Sequence, residues 1–159
     1  MALKSIYVDP GVHGSGVAYF AGGVLYEAEY RPSDRPLPYL DSPCVCEKPQ
    51  VYPHSKRPSD LIDLAVAAGR MTSLLRTTYI LPRQWSTVPK EVRHARMWQL
   101  LSEAELQVLE GVDCAKSLRH NVYDAVCIGL TIQERLGHGQ TKKIKGSRDA
   151  SDGHTRGDG

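Results

Sequence analysis

The chain has 159 residues, of which 41% are hydrophobic and 24% charged, with a formal net charge of +2. That is the size of one ordinary globular domain, which buries roughly two-thirds of its unfolded surface and can hold a core without disulfides or a structural metal. The four cysteines form no C-x-x-C pair and no Cys/His quartet with zinc-site spacing, which excludes a zinc module.

The N-terminal residues lack a long apolar stretch followed by a cleavage site, and no run approaches the roughly 20 apolar residues that span a bilayer. A cytoplasmic protein with no membrane partner is the expectation. The small net charge argues only weakly for a nucleic-acid partner, so local charge carries that question.

Lys4–Val8 reads as a buried strand that runs into the turn Asp9-Pro10-Gly11. Val17–Phe20 is a second strand, and Gly22-Gly23 makes a tight hairpin into a third, Val24–Tyr30. Residues 31–43 hold four prolines and read as a loop; Cys44–Lys48 is a fourth strand, stopped by Pro49. Cys44 and Cys46 share one strand face, where a free cysteine behaves as a small buried apolar residue, a usage that fits a reducing compartment.

Val51–Ser59 is a polar, basic loop. Ser59 is placed to cap a helix from Asp60 to about Thr77, with an apolar stripe of Leu61, Leu64, Ala65, Ala68, Met71, Thr72 and Leu75. Tyr79–Leu81 is a fifth strand. A helix from Val92 to Leu101 follows Pro89 and carries Val92, Ala95, Arg96 and Gln99 among apolar neighbours. Ser102-x-x-Glu105 is a capping box for a short helix to Leu109, and a last helix runs from about Asn121 to Leu136. Residues 1–137 therefore make one α/β domain, a mixed sheet covered by helices. Residues 138–159 contain one large aliphatic residue, Ile144, and read as a flexible polar and basic tail.

Three acids sit inside apolar segments. Asp9 ends the first strand, Glu47 ends the fourth, and Asp124 lies in the first turn of the last helix. Each has an ordinary reading by itself: a turn aspartate, a solvated strand end, a helix-dipole partner. Together, carboxylates from two strands and a helix can converge on hard divalent cations. Two such ions about 3.5–4 Å apart activate water and stabilise the leaving oxygen in phosphodiester hydrolysis.

The segments IYVDPGVHGSGVAYF, CVCEKP and NVYDAVCIGL resemble, in family order, the three motifs of RuvC-like Holliday-junction resolvases. The helix LAVAAGRMTSLL fits the same pattern, and WSTVPKEVRHARMWQLLSEAE is similar to the phage-encoded members. The resemblance covers about residues 3–137. It implies a ribonuclease-H-like five-stranded sheet, antiparallel over strands 1–3 and then parallel, flanked by helices. It also implies a homodimer, symmetric nicking of four-way DNA junctions, and a bacterial or phage-infected host cell. Composition carries none of this.

By that likeness Asp9, Glu47 and Asp124 fall on the metal ligands for Mg2+ or Mn2+, two ions per site. The sequence departs at the fourth position, where Asn121 stands three residues before Asp124 and His120 four before it. Both share a helical face with Asp124. Either is a candidate weak ligand, and His120, also a candidate acid or base, is slightly favoured for the chemistry; His120 as a plain surface residue stays open.

A junction presents closely spaced phosphates, and the candidates to hold them are His54, Lys56, Arg57, Arg70, Arg83, Lys90, Arg93 and Arg96. Each is equally readable as a solvated surface charge. Tyr52 is a candidate to stack on an unpaired base, or else a loop aromatic packed on the helix. Small residues at Ala65, Ala67, Ala68 and Gly69 permit close helix–helix approach, in the core or in a dimer. Competing functions are a related nuclease acting on other branched DNA or on RNA precursors, and a junction-binding protein without catalysis. The turn Gly11-x-x-Gly14-x-Gly16 lacks the Gly-Lys-Ser/Thr of a nucleotide-binding loop.

Overall fold

The computed structural model describes residues 2–38, 40–50 and 57–136. β1 (Lys4–Asp9), β2 (Gly14–Ala21) and β3 (Val24–Pro32) form an antiparallel meander. β4 (Cys44–Glu47) and β5 (Thr77–Ile80) add in parallel on the other side of β1. The sheet order is β3-β2-β1-β4-β5, so β1 is central. This is the mixed five-stranded sheet that the sequence implies. At the β2–β3 hairpin Ala21 pairs with Val24, and Gly22 and Gly23 take φ values of 56° and 84°. A two-residue loop whose central residues both have positive φ matches the twist of the strands, and glycine reaches that conformation without a Cβ clash.

Alternation along the strands divides the core in two. Ile6, Val8, Val17, Tyr19, Cys44 and Cys46 face Ala68 and Met71 of α1 (Pro58–Thr72), with Leu37 from the loop after β3. Tyr7, Ala18 and Phe20 face the other way, into Val122, Ala125, Val126 and Ile128 of α5 (Arg119–Ile132). Phe20 and Tyr7 meet edge-on, ring centroids 5.3 Å apart. The cysteines at 44, 46 and 127 are free and buried, as small apolar residues are.

Helix boundaries depart from expectation where local chemistry competes. α1 starts at Pro58, which presets the first helical φ, so Arg57 and not Ser59 occupies the cap position. The helix ends at Thr72 and not Thr77, because Thr77 and Thr78 are taken into β5 beside Cys44 and Val45. A single turn, α2 (Pro82–Trp85), too short for periodicity to reveal, follows β5. In α3 (Lys90–Leu100) the residues turned inward are Arg93 and Met97, while Val92 is exposed. A 3-10 turn, Lys116–Leu118, runs directly into α5, which therefore begins two residues before Asn121 and ends at Ile132. No described helix is long and apolar enough to cross a membrane.

The capping box of α4 (Glu103–Glu110) forms and does more than cap. Glu105 is fully buried and accepts from Ser102 N–H at 2.9 Å, from Leu25 N–H at 2.9 Å, and from Arg135 Nη1 at 2.6 Å. Glu134 takes a left-handed φ of 61° just before Arg135, at the turn that follows α5. One carboxylate thus ties α4, the β2–β3 hairpin and the end of α5 together. Burial opposes its charge, but the Arg135, Leu25 and Ser102 hydrogen bonds outweigh this and hold it down at about 2. A depressed folded-state pKa contributes stability above the ordinary glutamate value, lost as pH falls toward 2. Glu105→Gln is therefore expected to lower the urea midpoint at pH 7 and to flatten its decline between pH 4.5 and 2. Unchanged pH dependence in that variant would contradict the clamp.

Candidate active site

Strand parity brings the first two acids to one face. Asp9 is two residues beyond Tyr7, and Glu47 two beyond Val45, both of which pack on the α5 side of the sheet. Val8 and Cys46 are the last pair between β1 and β4, so Asp9 and Glu47 follow one step further on along neighbouring strands. On β2 the partner of Asp9 is Gly16. A Cβ at Gly16 would run into the Asn121 carbonyl and the Val122 nitrogen. The absent side chain is what lets α5 lie directly on β2 beside Asp9, and this delivers Asp124. Because α5 begins at Arg119, Asp124 is in its second turn and not its first, away from the strongest part of the helix dipole.

The three carboxylates feel one another and are not treated alike. Burial pushes the Asp9 carboxyl well above the ordinary aspartate range, and the charges of Asp124 and Glu47 push it further, against Lys90 and Arg93. Burial likewise raises Glu47, offset in part by the Trp85 indole N–H, which donates to Oε2 at 2.6 Å. Asp124 is buried too, yet its neighbours reverse the effect. His94 Nε2 lies 2.8 Å and Arg93 Nη2 3.0 Å from Oδ1, and Lys90 Nζ lies 3.1 Å from Oδ2. Those hydrogen bonds and charges hold Asp124 down at about 2.

Asp124 thus has its counter-charge, whereas Asp9 and Glu47 are short of one. A divalent cation held by these carboxylates would supply what is missing, and an all-oxygen donor set would suit Mg2+ or Mn2+. The donor chemistry fits such an ion. Among the described residues, no group of three or more Asp, Glu, His or Cys side chains is already gathered tightly enough to hold one; Asp124 is engaged with its cationic neighbours.

No family model and no curated protein matches the chain. Among solved structures, T. thermophilus RuvC in complex with a Holliday-junction substrate matches at a TM-score of 0.52 and 13% identity, over 84% of this chain and 97% of that one. A second Thermus thermophilus RuvC structure matches at a TM-score of 0.46 and 12% identity, over 84% and 98%. The fold is RuvC-like. At this identity the likeness speaks for the architecture, and the acids at the carboxyl ends of β1 and β4 must be judged on their own geometry.

Within this RuvC-like fold the remaining candidates separate. Arg57, Arg70, Arg83 and Arg96 are exposed, and Lys90 is half-exposed beside Asp124. Arg93, read from sequence as a phosphate ligand, is buried and engaged inside the protein. Its Nη1 donates to Ser86 Oγ at 2.7 Å and to the Val88 carbonyl at 3.2 Å, and its guanidinium lies 4.5 Å from the centre of the Trp85 ring. His120 is exposed, and Asn121 is half-buried where α5 meets Gly16. The histidine that touches Asp124 is His94, which sequence reasoning missed, edge-on to Tyr123 at 5.5 Å. Tyr52, His54 and Lys56, like residues 138–159, lie outside the described residues.

Opposite stability effects follow for two of the acids. A raised folded-state pKa means that ionised Asp9 opposes folding at neutral pH, so Asp9→Asn is expected to stabilise the metal-free protein. Asp124→Asn instead leaves the buried Arg93 charge without its partner and is expected to cost about 3–5 kcal/mol. Urea unfolding at pH 7 in chelator measures both, and shifts of the same sign would contradict this assignment of charge.

Proposed function

We propose that the protein is a structure-selective endonuclease that resolves four-way DNA junctions by metal-dependent phosphodiester hydrolysis. The observation that carries this reading is the juxtaposition of Asp9, Glu47 and Asp124 at one edge of a sheet whose fold is RuvC-like. The similar T. thermophilus structure is of RuvC with a Holliday-junction substrate, which makes a branched DNA the first substrate to try.

Asp9, Glu47 and Asp124 would hold the metal, Mg2+ or Mn2+, with two ions per site as the proposed complement. Bound there, divalent ions supply the charge neutralisation and water activation that phosphodiester hydrolysis requires. The chain's own residues do the rest. Asp9 and Glu47 present oxygens from a rigid sheet, and Trp85 fixes the direction of Glu47. His94 and Arg93 hold Asp124 ionised. Lys90, half-exposed at the rim, and the exposed Arg57, Arg70, Arg83 and Arg96 offer positive charge to the DNA backbone. Such contacts give salt-sensitive binding without reading sequence.

Symmetric cutting of a junction requires two sites, and we propose a homodimer. α1 supports it: Ile62 and Val66 are 66% and 54% exposed along an apolar groove with Leu61, Pro49 and Pro58.

The test is cleavage of a labelled four-way junction beside linear duplex of the same sequence, with Mg2+, Mn2+ or chelator. Paired nicks in the junction alone, only with metal, are expected. Asp9→Asn should abolish cutting while the junction still binds. Cutting of both substrates would remove junction selectivity, and binding without cutting under every metal would leave a structural junction-binding protein.

A further inference from the structure

Arg93 and Trp85 form a bridge between two acids on different elements. Both residues are 5% exposed, out of reach of a DNA backbone. One end of the bridge is the Arg93–Asp124 ion pair at 3.0 Å; the other is the Trp85–Glu47 hydrogen bond at 2.6 Å. Between them the guanidinium lies against the indole, 4.5 Å from the ring centroid. The second nitrogen of the fork is anchored to Ser86 and to the Val88 carbonyl, in the segment joining α2 to α3.

We propose that Arg93 is a positioning residue that, through Trp85, fixes Glu47 and Asp124 relative to each other as one unit. The proposal takes from the nuclease reading only the assignment of these acids as metal ligands. Arginine is suited to the task because its planar group is always charged, donates in two directions at fixed angles, and has a face that stacks on an aromatic ring. Lysine at the same place keeps the charge but loses both the fork and the flat face. If the guanidinium shifts, the indole loses its cover and turns, so Glu47 loses its donor while Asp124 loses its anchor. Two acids that are 77 residues apart in the chain (47 and 124) then depend on one contact. Changing the partners that orient metal ligands typically lowers metal affinity by about 10- to 100-fold.

The experiment is a titration of the full chain with Mn2+, free ion being followed by its electron paramagnetic resonance. Wild type, Arg93→Lys, Trp85→Phe and the double variant are compared, each checked for folding by circular dichroism and thermal unfolding. Trp85→Phe keeps an apolar ring under Arg93 and removes only the bond to Glu47, so it tests the bridge even if Arg93→Lys does not fold. Each single variant is expected to bind Mn2+ about 10-fold more weakly. The double variant should be no weaker than the worse single one, since both act through one unit. Affinity for a four-way junction in chelator should stay at the wild-type value. Wild-type Mn2+ affinity in the single variants would overturn the proposal, as would losses that multiply in the double variant. A fall in junction affinity would overturn it in favour of a phosphate contact. Wild-type protein that binds Mn2+ without cutting junctions overturns the nuclease reading and leaves the Mn2+ series to decide Arg93. No Mn2+ uptake by wild type overturns both.

Discussion

The ion pair between Asp124 and Arg93 is the contact on which the site depends. Both groups are buried, and a buried charge without a partner is among the most costly features a fold can carry. Pairing alone would only offset that cost. Here it also separates Asp124 from the other two acids, lowering its pKa where burial raises theirs. Asp124, given His94, Lys90 and Arg93, is held down at about 2, while burial raises Asp9 and Glu47 at adjacent strand ends. The edge of the sheet is therefore short of positive charge at one point, and a divalent cation is the chemically simplest remedy.

The architecture that creates this imbalance is economical. Parallel pairing of β1 and β4 sets two carboxylates abreast, and strand parity turns both toward α5. Gly16 allows the helix backbone to rest on β2, so the third acid arrives at the same edge. Away from the site, the Glu105 clamp fastens the β2–β3 hairpin to α4 and to the segment after α5. The two halves of the core, one against α1 and one against α5, leave β1 central and covered on both faces.

Much of this is legible in the sequence because it is local. The β-branched runs, the Gly22-Gly23 hairpin and the Ser102–Glu105 capping box each act over a few residues; the hairpin and the box form as expected, while β2 begins at Gly14, three residues before Val17, and β5 spans Thr77–Ile80 instead of Tyr79–Leu81. The acids were detectable as charges embedded in apolar strands and a helix. What escaped is that Lys90, Arg93 and His94 pair with Asp124. Arg93 and His94 look like surface residues of a basic helix, and nothing near them in the chain says that α3 turns that face toward Asp124, 31 and 30 residues away. Trp85 sits on a single helical turn too short to have a period. His120 was singled out by its spacing from Asp124 on one helix, yet the contact to Asp124 is made from a neighbouring helix. Tertiary partners of buried charges are long-range by nature, so local spacing cannot name them.

The claim that Asp9, Glu47 and Asp124 form one cation centre is tested most directly by diffraction from a crystal soaked in Mn2+, with the metal located by its anomalous signal. An anomalous peak among the oxygens of these three residues, with Asp124 drawn toward it and at least one of its three cationic partners released, is the predicted result. A fully loaded crystal with no peak at that edge, and the Asp124 ion pairs intact, would contradict the account.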